Sequence, residues 1–165
     1  MSPALFSRER LIRFSDCDPA GIVFYPQYFV MFNGLVEDWF NDGLRVGYQN
    51  VLIQRRIGLP TVRLEADFKA VSAMGDRVRL DLAVERLGRS SLTLQLQCTG
   101  LASGGGNNTL RMQMRQVIVS TALDTHAAIA LPDDVRAAIT REMAAAAGAR
   151  AHPAGPPYPQ LPETR

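Results

Sequence analysis

A chain of 165 residues, 47% hydrophobic and 21% charged, has the size and apolar content of one domain able to build its own core without a structural metal or disulfide staple. Its net charge of +2 comes from scattered arginines, with Lys69 the only lysine, and leaves no basic patch or stripe of the kind a nucleic-acid partner requires. Cys17 and Cys98 make neither a disulfide framework nor a metal set, and no apolar run approaches the ~20 residues of a membrane span. Reduced thiols, and charges where a signal peptide needs an apolar stretch, lead to the expectation of a cytoplasmic protein.

Residues 5–15 partly alternate and suit a first strand. Asp16, Asp18, Pro19 and Gly21 then form a loop. From Pro26 onward, Tyr28, Met31, Phe32, Leu35, Val36, Trp39 and Phe40 recur at three- and four-residue spacing, which predicts a central helix closed by Gly43. A short second helix is expected within 45–56. Strand patterns follow at 61–71, 77–87, 91–101 and 110–123. Val78, Leu80, Leu82 and Val84 share one face, as do Leu92, Leu94, Leu96 and Cys98. The run SGGGNN at 103–108 connects two strands. A second helix is expected over 133–147, with Asp133 or Asp134 near its N-terminus. Five of the ten prolines lie in the C-terminal tail. The expected organisation is one α+β domain over 1–146, C-terminal helix included, and a proline-rich flexible tail over 147–165. A wide apolar stripe on the first helix predicts a curved antiparallel sheet wrapped around it.

The segment DCDPAGIVFYPQY at 16–28 carries the chemistry. It sets Asp16 and Asp18 just before the first turn of an apolar helix. Such a turn has unpaired N–H groups and positive dipole character, so it can hold an electron-rich oxygen. A carboxylate beside it can act as nucleophile or general base. The same spacing also serves turn and capping chemistry.

The run DCDPAGIV at 16–23, followed by an aromatic residue and Tyr25-Pro26, closely resembles the active-site signature of the 4-hydroxybenzoyl-CoA thioesterase family, one branch of the hotdog-fold thioesterases. The likeness is specific over about sixteen residues; a weaker match in strand order extends to about Leu123. It implies a hotdog fold, with an extra C-terminal helix in this chain. It implies that Asp18 is the catalytic carboxylate, attacking the thioester carbonyl or activating water. It implies that the Tyr25 backbone N–H polarises the thioester oxygen. Asp16 is then structural, and Gly21 permits a backbone path that a side chain would block. Members form homodimers or dimers of dimers (homotetramers), with sites built across the interface. The family's coenzyme A contacts fall on Arg89 and Ser91 in the turn Gly88-Arg89-Ser90-Ser91, able to bind a nucleotide phosphate. Arg111 and Arg115 are weaker candidates for that role. The positions that recognise a ring hydroxyl in the hydroxybenzoyl-specific branch correspond to Asn33 and Leu59, where Leu59 cannot hydrogen-bond and Asn33 carries no charge. A less polar aryl or a short acyl group is therefore expected.

Other groups are assigned elsewhere. Glu65 and Asp67 share a strand face that alternation turns outward. His126 and His152 have no metal-ligand spacing, and no metal is expected. Cys17 lies between two carboxylates, which oppose thiolate formation. Ser90-Ser91 lacks a nucleophile-elbow context, and SGGGNN lacks the lysine of a phosphate loop. The sequence thus predicts an acyl-CoA thioesterase without a metal or redox cofactor, coenzyme A entering as part of the substrate, and with neither nucleic acid nor membrane as partner. Two alternatives remain open: an acyl carrier protein thioesterase, and a non-catalytic acyl-CoA-binding module.

Overall fold

The computed structural model describes residues 4–102 and 107–150. Strand β1 (Phe6–Leu11) passes through a 3-10 turn (Phe14–Asp16) and a loop into helix α1 (Pro26–Asp38). Two π turns (Trp39–Gly43 and Asn50–Gln54) lead to β2 (Ile57–Gly58) and β3 (Thr61–Phe68). Then come β4 (Arg77–Leu87), β5 (Ser91–Gly100), β6 (Thr109–Val119), β7 (Thr121–Ala122) and α2 (Asp133–Arg150). One antiparallel sheet has the order β1-β4-β5-β6-β3, and β2 pairs with β7.

The register explains the core. Leu80, Cys98, Met112 and Phe68 form one row across β4, β5, β6 and β3; Leu82, Leu96, Met114 and Ala66 form the next. These rows face α1, whose Tyr28, Met31, Phe32, Leu35 and Val36 are buried. Trp39, Phe32 and Phe40 are fully buried. Each such side chain contributes about 1.5–3 kcal/mol. Register shifts in β3, β4 and at the β5–β6 pairing bend the sheet around the helix. Helix α2 closes one end: the Trp39 indole donates to Glu142 at 2.6 Å, and Arg55 pairs with Asp134 at 2.8 Å. The expected hotdog architecture and the extra helix are both present.

Some boundaries differ from expectation. The first strand ends at Leu11, because the next residues fold into the 3-10 turn that buries Asp16. Gly43 does not supply the left-handed residue after the helix; Arg45 does, at φ 57°. Gly43 is glycine for space, since a Cβ there would stand 2.6 Å from Trp39 Cδ1. The short helix expected within 45–56 is present at residues 48–54, as a π-helix over Asn50–Gln54. The last long strand breaks at Ser120 into β6 and β7. Helix α2 runs to Arg150, past the expected start of the tail. Residues 151–165, and 103–106 of the glycine-rich connection, lie outside the described residues.

Candidate active site

The motif loop is a closed hairpin. The Asp18 N–H donates to the Ile22 carbonyl at 3.0 Å, Gly21 N–H to the Asp18 carbonyl at 2.9 Å, and Phe24 N–H to the Asp16 carbonyl at 3.0 Å. Cys17 and Val23 bridge between the two arms. Gly21 makes the turn at φ 76°, a conformation a β-carbon disfavours. The loop is stitched to residues 72–75: Val23 N–H donates to the Ser72 carbonyl at 2.9 Å, and Met74 N–H to the Gly21 carbonyl at 3.0 Å.

Asp16 and Asp18 are separated in kind by these bonds. Asp16 is 6% exposed, takes the Arg10 guanidinium on both oxygens at 3.0 and 2.9 Å, and accepts Arg13 N–H at 2.8 Å. These contacts tie Asp16 to the strand and to the turn that precedes it. Asp18 is half-buried; one oxygen accepts Ala20 N–H at 2.8 Å, and the other has no protein partner among the described residues. Of the two carboxylates, Asp18 is the one that keeps an oxygen without a protein partner among the described residues. Cys17 between them has its thiol pushed up by desolvation and by both carboxylates, which disfavours a nucleophilic thiolate.

Tyr25 enters α1 in helical conformation, with Pro26 at the first turn. Tyr28 N–H reaches the Tyr25 carbonyl at 3.2 Å, whereas the Tyr25 N–H has no acceptor among the described residues. Its ring is exposed and packs edge-on against Phe24, Phe29 and Phe68. Beside it lies an apolar cavity of about 310 Å³ lined by Ile22, Tyr25, Tyr28, Phe68, Val71 and Ser72. The Tyr28 hydroxyl donates to Ser72 Oγ at 2.9 Å across its floor.

The remaining candidates divide by position. Asn33 lies on the exposed face of α1, two turns beyond Tyr25. Leu59, Arg89 and Ser91 lie at the other end of the sheet. Ser91 pairs with Val119, whose N–H reaches the Pro60 carbonyl at 3.1 Å. Strand β4 spans the gap: Asp76, just before it, accepts Ile12 N–H beside the motif loop, and Gly88-Arg89 follows its other end. At about 3.4 Å per residue, its eleven residues separate the two ends by roughly 35 Å. Arg89 is exposed and has no carboxylate partner among the described residues. Its turn is held by Arg136 of α2, which donates to the Gly88 and Arg89 carbonyls. This grip of Arg136 on the turn was not legible in the sequence, since nothing local marks which turn a helix will hold.

Arg111 and Arg115 both have protein partners in this chain. Arg115 pairs with Glu85 on the outer sheet face at 2.7 Å, and Arg111 donates inward to the Val71 carbonyl beside Asp76. Glu65 and Asp67 stand on that outer face, opposite Arg115 and Gln113, as alternation predicts. No cluster of His, Cys, Asp or Glu able to hold a metal is found among the described residues.

Comparison with known proteins extends this geometry. The description of the thioesterase-like superfamily matches residues 12–139. The 4-hydroxybenzoyl-CoA thioesterase of Pseudomonas sp. (strain CBS-3) is 28% identical over 112 residues, covering 67% of this chain and 79% of that one. The 1,4-dihydroxy-2-naphthoyl-CoA hydrolase of Synechocystis is 30% identical over 79 residues, covering 48% of this chain and 56% of that one. The crystal structure of a Synechocystis 1,4-dihydroxy-2-naphthoyl-CoA thioesterase superposes with a TM-score of 0.73 at 24% identity, over 82% of this chain and 95% of that one.

Proposed function

Because this chain belongs to the thioesterase-like superfamily, we propose that it hydrolyses an aryl- or short acyl-CoA thioester to the free acid and coenzyme A. The observation that carries this reading is the pairing of a half-free carboxylate, Asp18, with an unpartnered N–H, Tyr25, on one hydrogen-bonded loop at the start of α1.

The Tyr25 N–H donates to the thioester oxygen as charge builds on that oxygen, aided by the helix dipole. A single donor of this kind is worth roughly 10²–10³ in rate. Asp18 either attacks the carbonyl carbon, giving an anhydride that water then cleaves, or takes a proton from a water that attacks directly. In both routes the tetrahedral oxyanion collapses, the C–S bond breaks, and the thiolate leaves to take a proton. The apolar cavity beside Tyr25 suits the acyl group. Leu59 and uncharged Asn33 favour an acyl group less polar than hydroxybenzoyl.

The protein acts as a homo-oligomer in this reading. Strand β3 is a sheet edge whose residues are nearly all exposed on both faces, including Val62, Leu64 and Phe68. Long apolar edges of this kind invite pairing with another strand. Antiparallel pairing of β3 with its copy about a two-fold axis sets the Thr61 end of one chain beside the Phe68 end of the other. That arrangement brings Leu59, Arg89 and Ser91 of one copy towards Asp18 and Tyr25 of the second. Arg89 then meets a phosphate of coenzyme A and Ser91 supports it. A pair of such dimers makes the expected tetramer. A cytoplasmic location is consistent with the free thiols of Cys17 and Cys98. No helix of the described residues is long and apolar enough to cross a membrane.

The test is a panel of aryl- and alkyl-CoA thioesters with wild type and Asp18→Asn. Hydrolysis of at least one by wild type, and a loss well above tenfold in the variant (more than ~1.4 kcal/mol in barrier), is expected. An Asp18→Asn enzyme with full kcat would remove Asp18 from its role.

A further inference from the structure

Strand β1 ends in an arrangement that the motif itself does not announce. Arg10 lies opposite Val78, on the row of β1 that faces the core. From there its Nη2 reaches both oxygens of Asp16. No other cation pairs with Asp16 among the described residues. Asp16 in turn touches both arms of the motif loop. Its carboxylate accepts the Arg13 N–H on the incoming arm, and its carbonyl accepts the Phe24 N–H on the outgoing arm. Asp18 stands two residues past Asp16 itself, and Tyr25 one residue past Phe24. A single guanidinium, anchored on a sheet strand, therefore fixes the point from which both reacting groups are hung.

We propose that Arg10 is a positioning residue for thioester cleavage, acting through Asp16 to set the separation between the Asp18 carboxylate and the Tyr25 N–H. The inference rests on the reading of Asp18 and Tyr25 given above. Its physical basis is the steep dependence of rate on placement. A misplacement of about 1 Å costs on the order of 10²-fold in rate. Asp16 is buried and needs its cation, because a buried carboxylate stripped of its partner draws in water or protonates. Either response loosens the knot that joins residues 13, 16 and 24. Substrate affinity is set elsewhere, by the apolar cavity and by Arg89, so the effect falls on kcat.

Lysine does not replace arginine well here. Both contacts to Asp16 come from Nη2, the far end of the guanidinium, and a lysine ammonium on its shorter stem stops short of that point. The motif alone gives no hint of this role, because Arg10 lies six residues before Asp16 and reaches it only through the 3-10 turn.

The experiment measures kcat and KM for Arg10→Met, Arg10→Lys and Asp18→Asn on a CoA thioester that wild type hydrolyses, with thermal unfolding to establish that each is folded. Arg10→Met should lower kcat roughly 10- to 100-fold with KM held within about threefold, and Arg10→Lys should fall between it and wild type. A folded Arg10→Met with kcat less than about threefold below wild type overturns the proposal, as does a loss carried by KM alone. If Arg10→Met does not fold, Arg10→Lys decides: a kcat lowered at least about threefold at constant KM supports positioning, and any smaller change overturns it. The Asp18→Asn arm separates the two readings. Full activity there removes Asp18 from its role whatever Arg10 does, whereas an inactive Asp18→Asn beside a fully active Arg10→Met removes Arg10 alone.

Discussion

The Arg111 side chain lies across Gly100, in the volume a side chain at that position would fill: a Cβ built on Gly100 would overlap Arg111 Nε. A register shift between Cys98 and Thr99 sets Arg111 over that glycine. The guanidinium then donates to the Val71 carbonyl and lies 3.5 Å from Asp76. It thereby braces the 71–76 segment to which the motif loop is stitched. Gly100→Ala should displace Arg111 and cost about 1–3 kcal/mol, as overpacking does. Urea unfolding measures this, and an unchanged midpoint would show that the brace shifts freely.

Gly21 makes a contrasting case. A Cβ there meets nothing within 4 Å, but φ is 76°. The cost of Gly21→Ala is therefore conformational, roughly 1–2 kcal/mol. Because the turn carries Asp18, kcat should fall as well. Loss of stability with unaltered kcat would mean that the turn tolerates rearrangement without moving the carboxylate.

These two glycines show what the sequence could reveal. Gly21 sits in a motif and its purpose is local, so it was legible. Gly100 answers to a residue eleven positions away across a bulge, which no spacing rule reports. The helical stripe from Tyr28 through α1 to Phe40 in the following π turn, and the alternating rows of β4 and β5, were readable because burial follows period. Ser120, where the last strand breaks, was not: its N–H turns to the Ser90 carbonyl, a tertiary contact. The motif named Asp16 and Asp18 but could not say which end of the sheet would hold Arg89. That depends on strand order, which the pattern of individual strands leaves open.

The two thiols should respond differently to alkali. Cys98 is fully buried, and desolvation pushes its thiol from 9.0 up to about 12. The folded state holds the proton more tightly than the unfolded state. This contribution to stability is therefore complete below pH 9 and is lost progressively as pH rises towards 12. In the native protein at pH 8, a thiol reagent should modify Cys17 slowly and leave Cys98 untouched until denaturant is added. Rapid modification of both would contradict the packing around Cys98.

Acid should act on the outer face of the sheet. The Arg115 guanidinium, and secondarily Gln95, hold the Glu85 carboxyl below its usual range. With a lowered folded-state value, the pair stabilises above the unfolded carboxylate range and ceases to do so as pH falls through the folded value. Both side chains are about one-third exposed. Glu85→Gln should therefore cost less than about 1 kcal/mol at pH 7, with the difference shrinking in salt and vanishing in acid. Stability curves of the two proteins against pH provide the comparison; a gap that persists at pH 2 would point to packing instead.

Edge strand β3 offers the most direct test of assembly. Leu64 and Phe68 are 41% and 51% exposed in the single chain. Leu64→Glu should yield monomers by size-exclusion chromatography with light scattering, together with loss of turnover. A monomer as active as wild type would place the whole site within one copy.

The length of β4, roughly 35 Å from the motif-loop end of the sheet to the end that carries Arg89, has a genetic consequence under this pairing. Two crippled alleles, one lacking the carboxylate and the other lacking the phosphate-binding arginine, would be defective alone. Expressed together, they would assemble some mixed pairs. In each mixed pair one of the two sites receives both intact halves, while the other receives both lesions. Partial activity would therefore return from two inactive chains, with a ceiling of one-half per mixed dimer.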